Sequence, residues 1–174
     1  MRTIIGTLLL AILVIATIER NITWKDDGTL WVDTINKSPR KSRGYNELGL
    51  HAIQVRDYAL ALKAFTRSLE LNPYLSNAYL NIGLAYEGLG QIDLAISTYE
   101  KAIVMEKDPI GYYNLGLVYY KKKHDHQKAL ELFLKARDLN PREPDVHLHL
   151  GNLYRDEGKI EQAEEEYRLN KMLK

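Results

Sequence analysis

The chain has 174 residues, room for one ordinary domain and an appendage. Charged residues make up 27% and nearly cancel, for a net charge of +1, so nucleic acid is excluded as the main partner: phosphate binding wants a clustered cationic excess. There is no cysteine, which removes a disulfide scaffold, a thiolate metal site and a cysteine nucleophile together.

The chain begins with an apolar run. Thr3 to Ile18 carries no charge. As a helix it reaches ~24 Å, against ~30 Å for a hydrocarbon core. Val14-Ile15-Ala16 is a poor cleavage pattern, so residues 1–20 are expected to be a retained transmembrane helix or signal anchor, with Trp24 at the interface. Residues 21–41 form a juxtamembrane linker. Within it, aligning Pro39 on Pro73 sets Trp31 on Phe65, Thr34 on Ser68 and Ile35 on Leu69. This reads as half of a repeat, a helix from about Thr29 to Lys37 that packs on the first full unit and caps it.

From residue 42 a period of 34 residues takes over. Ala61 with Phe65 recurs as Ala95 with Tyr99, Ala129 with Phe133 and Ala163 with Tyr167. Before each lies a second pattern: Tyr45, Leu48 and Gly49; Tyr79, Ile82, Gly83 and Tyr86; Tyr112, Leu115, Gly116 and Tyr119; His147, Leu150, Gly151 and Tyr154. The spacings i, i+3, i+4 and i+7 put each set on one helical face. The glycine lets a second helix approach closely. Pro73 and Pro141 end that second helix. The four units run over about 42–75, 76–108, 109–143 and 144–174. The interval Gly83 to Gly116 is one residue short and Gly116 to Gly151 one long, and both changes are expected in loops.

This pattern resembles the tetratricopeptide repeat. The resemblance implies an all-α fold: a right-handed α-solenoid, or superhelix, of four helix-turn-helix repeats over residues 42–174, preceded by the N-terminal hydrophobic helix. It further implies a concave groove lined by the first helix of each hairpin, in which a protein or peptide ligand binds. Numbering each unit so that the glycine is position 8, the groove-facing positions are 2, 5, 6, 9 and 12. Position 6 holds Glu47, Asn81, Asn114 and His149. A carboxamide both donates and accepts, so Asn81 and Asn114 can grip a peptide backbone. Positions 5 and 9 hold Asn46 and Leu50, Leu80 and Leu84, Tyr113 and Leu117, Leu148 and Asn152, with Tyr120 at position 12. Apolar side chains on such a surface mark a binding stripe. The chaperone-docking variant of the family needs Lys and Arg where Ile110 and Asn114 stand, so that ligand is set aside.

The junction of Arg20-Asn21, Trp24, Leu30-Trp31, Asp33 and Pro39 is similar to the last membrane helix and linker of polytopic transmembrane-and-tetratricopeptide proteins, a family with glycosyltransferase-like members. That resemblance implies a membrane-anchored protein with an extracytoplasmic repeat domain, periplasmic in a bacterium. No phosphate loop, nucleophile elbow or HExxH occurs. His147 and His149 diverge around a helix and cannot easily share one ion. The expectation is a scaffold and not an enzyme, without catalytic residues, metal or cofactor. The alternative is the C-terminal part of a polytopic glycosyltransferase-like protein that presents acceptor polypeptides. Tyr167, Leu169, Met172 and Leu173 have no further helix to cover them, which leaves self-association through the C-terminal helix open.

Overall fold

The computed structural model describes residues 27–174 together with Leu13 and Thr17. The expected hydrophobic helix of residues 1–20 lies, apart from Leu13 and Thr17, outside the described residues. Among those described, no helix is long and apolar enough to cross a membrane. The membrane-anchored, extracytoplasmic placement is corrected accordingly, since no described helix supports it.

The described chain is helical, with no strand: α1 (Asp27–Lys37), α2 (Ser42–Gln54), α3 (Tyr58–Leu71), α4 (Ser76–Gly88), α5 (Ile92–Met105), α6 (Pro109–Val118), α7 (His126–Leu139), α8 (Pro144–Asp156) and α9 (Ile160–Leu173). It divides into two compact units, Met1–Pro73 and Tyr74–Lys174. In the first, α1 packs on α2 and α2 pairs with α3. In the second, α4 to α9 form three hairpins stacked in sequence, each helix packing on the next.

Each hairpin closes on the same contact. A Cβ at Gly49 would lie 2.6 Å from the Phe65 ring, at Gly83 2.5 Å from Tyr99, at Gly116 2.7 Å from Phe133 and at Gly151 2.6 Å from Tyr167. Hydrogen is the only side chain those rings admit. Phe65, Tyr99 and Phe133 are fully buried, and Ala61, Ala95 and Ala129 beneath them are fully buried too. Each ring contributes roughly 2–3 kcal/mol of apolar burial. Ile35 of α1 meets Gly44 of α2 as Ile103 of α5 meets Gly111 of α6. The two isoleucines are 68 residues apart, two repeat lengths.

The hairpin turns share a register. Arg56, Gly90, His124 and Gly158 all have positive φ, at 60°, 73°, 54° and 76°, and stand 34 residues apart. The missing residue of the third unit falls in its leading loop, as expected: three residues separate α5 from α6, where four separate α3 from α4. The extra residue does not fall in a loop. It is absorbed by a π-helical turn, Tyr119–Lys123, at the end of α6. The Asp125 amide bonds back to Tyr119 O, one residue further than Gln91 reaches to Tyr86 O. Widening one helical turn keeps both the left-handed turn residue and the α7 packing face in register, which a longer loop would not require.

His147 stands where the other units carry tyrosine. It is buried, with Nδ1 2.5 Å from Glu166 Oε2 and Nε2 2.9 Å from Pro141 O. Arg137 Nη1 donates to the other Glu166 oxygen at 3.2 Å. The polar substitution is thus matched by its own buried partners.

Candidate partner-binding face

The first helices of the second unit, α4, α6 and α8, carry most of the expected groove residues. Leu80 is the exception to an exposed stripe. It is only 6% exposed and belongs to the core with Tyr99, Ala102 and Leu115. Leu84, one turn on, is 42% exposed. Tyr113, Leu117 and Leu148 are half-buried, with Tyr113 and Leu117 packed on the core around Phe133 and Leu150. Asn46 and Leu50 are half-buried in the first unit.

An aromatic cluster joins α6 to α8. His149 stacks on Phe133 with centroids 5.5 Å apart and planes at 16°. Tyr113 lies 5.7 Å and Tyr120 6.2 Å from the same imidazole. His149 Nδ1 is sealed from solvent and has no hydrogen-bond partner among the described residues. Burial, and then the nearby Lys121 ammonium, hold the imidazole below its ordinary pKa. Burial pushes Tyr113 up to about 12, and the Asp145 and Glu143 carboxylates add to it. Tyr120 is raised by burial and by donating its hydroxyl to Asp156 at 3.0 Å.

The carboxamides divide. Asn152 Oδ1 accepts from the Tyr167 hydroxyl at 2.8 Å and so serves the scaffold. Asn81 and Asn114 are half-buried, and neither carboxamide bonds to another group among the described residues. Asn114 and Tyr113 line a cavity of about 200 Å³ with Pro109, Ile110, Asn140, Glu143 and Val146. The repeat register puts Ile110 on this face, at position 2. It cannot show that the α7–α8 loop brings Asn140 and Glu143 to it.

The first unit has its own cavity, about 650 Å³ and mostly apolar, between α1 and α3 over α2. Val32, Ile35, Tyr45, Leu48 and Leu60 line it, with Arg67 at one side. Sequence reasoning missed it because it depends on the angle between two second-type helices.

Family models described as tetratricopeptide repeat match residues 46–109, 80–144 and 121–169, which together run unbroken from 46 to 169. The chain belongs to the tetratricopeptide-repeat family. Photosystem I assembly protein Ycf3 of Synechococcus elongatus is 34% identical over 101 residues, 52% of this chain and 58% of that protein. The chain thus spans little more than half the length of that relative. Human protein O-mannosyl-transferase TMTC3 is 25% identical over 154 residues, 87% of this chain and 14% of that protein. Among solved structures, the fragment of MamA from residue 41 to its end, of Desulfovibrio magneticus RS-1, matches with a TM-score of 0.70 at 24% identity, over 91% of this chain and 94% of that one. That likeness is one of fold alone. As a tetratricopeptide-repeat protein the chain is a helical scaffold for protein–protein interaction.

Proposed function

We propose that the face formed by α4, α6 and α8 is a groove that binds a polypeptide segment of a partner during assembly. The observation that carries this reading is the pair of carboxamides, Asn81 and Asn114, that bond no other side chain or backbone group among the described residues and stand beside exposed or half-exposed apolar side chains, Leu84, Tyr113, Leu117 and Leu148. A peptide in extended or helical form satisfies the amides and covers the stripe at once. Ycf3 is named for photosystem I assembly, which favours an assembly factor over a static structural part. The half-repeat α1 acts as a cap on the first hairpin. The open face of α9, where Met172 is 74% exposed, is a second contact through which chains self-associate. Concentration-dependent sedimentation of the chain tests that contact.

The experiment for the groove is selection of a random twelve-residue phage-displayed peptide library on the whole chain. Leu84→Ser with Tyr113→Ser is expected to abolish binding of the selected peptides while the circular dichroism of the helices is kept. Unchanged affinity overturns the groove. The match to the O-mannosyl-transferase favours a second reading, a repeat region of a larger glycosyltransferase-like protein that presents acceptor polypeptides. An upstream in-frame catalytic region in the gene would select it.

A further inference from the structure

The cavity at the start of α6 differs from the rest of the face in charge. Its walls are apolar, from Pro109, Ile110, Tyr113 and Val146, while Glu143 forms part of its rim with the carboxamides of Asn114 and Asn140. Asp145 stands two residues beyond Glu143, in the first turn of α8. Neither carboxylate has an ion-pair partner among the described residues. Glu143 caps α8 by position, but its side chain makes no capping hydrogen bond. Arg142, the adjacent cation, neither lines the cavity nor pairs with either acid. Both carboxylates act on the Tyr113 hydroxyl and raise its pKa, so their negative field reaches the aromatic wall.

We propose that this cavity is the specificity pocket of the groove and takes one basic side chain, lysine or arginine, of the bound peptide. The inference rests on the groove reading and deepens it. The volume admits one long side chain. Its aliphatic stem packs on Ile110 and Val146, and its cation lies against the Tyr113 ring, between Glu143 and Asp145. An apolar occupant would gain nothing from the two carboxylates, and an acidic one would be repelled. Asn140 Oδ1 already accepts from the Arg142 amide at 3.3 Å and keeps a lone pair for a donor. In the π-helical turn that follows α6, Lys121 and Lys122 have no ion pair among the described residues, though both lie in the field of Glu87. Lys121 lies eleven positions after Ile110, about 16 Å along the helix, or roughly five residues of extended peptide. The favoured ligand therefore carries its basic residue about five positions from an acidic one.

The test uses the peptides selected on the whole chain, resynthesised with a fluorescent label. The expected result is a shared lysine or arginine. Replacing it with norleucine weakens binding about tenfold on the wild-type chain, and hardly at all on Glu143→Gln/Asp145→Asn. Circular dichroism confirms that this variant is folded. Selected peptides without a basic residue overturn the pocket and leave the groove standing, provided they still lose binding on Leu84→Ser/Tyr113→Ser. An equal loss from norleucine on both proteins has the same meaning. A library that yields no peptide sensitive to the groove substitutions overturns both.

Discussion

Replacing Gly83 with alanine puts a methyl carbon 2.5 Å from Tyr99 Cε1, well inside contact distance. Something must move, and the candidates are few. The Tyr99 ring is fully buried, and its hydroxyl donates to Glu87 Oε1 at 2.6 Å. Overpacking of this kind costs roughly 1–3 kcal/mol. Shifting the ring also strains a hydrogen bond to a carboxylate, worth about 1.5–3 kcal/mol when lost. Against these, alanine in place of glycine favours the helix by ~1 kcal/mol. The expected net loss is about 2–3 kcal/mol, seen in urea unfolding followed by circular dichroism as a midpoint lowered by about 1 M. Gly90→Ala is the control. It faces open space, so no ring has to move, and its φ of 73° alone brings strain of roughly 1–2 kcal/mol. A Gly83→Ala chain as stable as the wild type would refute the claim that helix proximity, and not turn flexibility, fixes the glycine.

Other expectations concern the histidines. His147→Leu removes both bonds of the imidazole and leaves Glu166 with Arg137 alone, so thermal unfolding should show a loss of about 2–3 kcal/mol, partly restored by adding Glu166→Leu. His149 has a folded pKa depressed below the unfolded value of 6.5, by burial first and Lys121 second. The unfolded state therefore takes up its proton first, and stability falls as pH drops below about 6.5, until the folded imidazole also titrates. His149→Phe should flatten this part of the stability profile, and an unchanged slope between pH 7 and 5 would assign the dependence elsewhere. Tyr113 ionisation, followed by its ultraviolet absorbance, should be complete only well above pH 10, and Glu143→Gln/Asp145→Asn should lower it.

Legibility in the sequence tracks the range of the interaction. Gly83 with Tyr99, and its three counterparts, can be read from spacing because both partners lie in one hairpin and recur at a fixed interval. Leu80 departs from its expected exposure for the opposite reason. Its helical phase points to the first-helix face, but the neighbouring hairpin comes close enough at Gly111 to bury it, with Leu80 Cδ2 3.4 Å from where a Cβ would lie. Asn152 has the register of a groove residue, yet a tyrosine from the next helix holds it. Interval counting finds the inserted residue of the third unit but misplaces it, because a longer turn and a wider helical one give the same count.

The sequence by itself determined the repeat, its length, the pairing of helices within hairpins and the family. These rest on local periodicity, where a residue's partner lies at a fixed offset along the same chain. Only the tertiary structure decided which first-helix side chains remain open, that His147 and Glu166 are buried together, and that a loop brings Glu143 to the cavity beside Tyr113. Those outcomes depend on the distance and angle between neighbouring helices. Side-chain volumes packed across several residues set both, and no interval in the sequence encodes them.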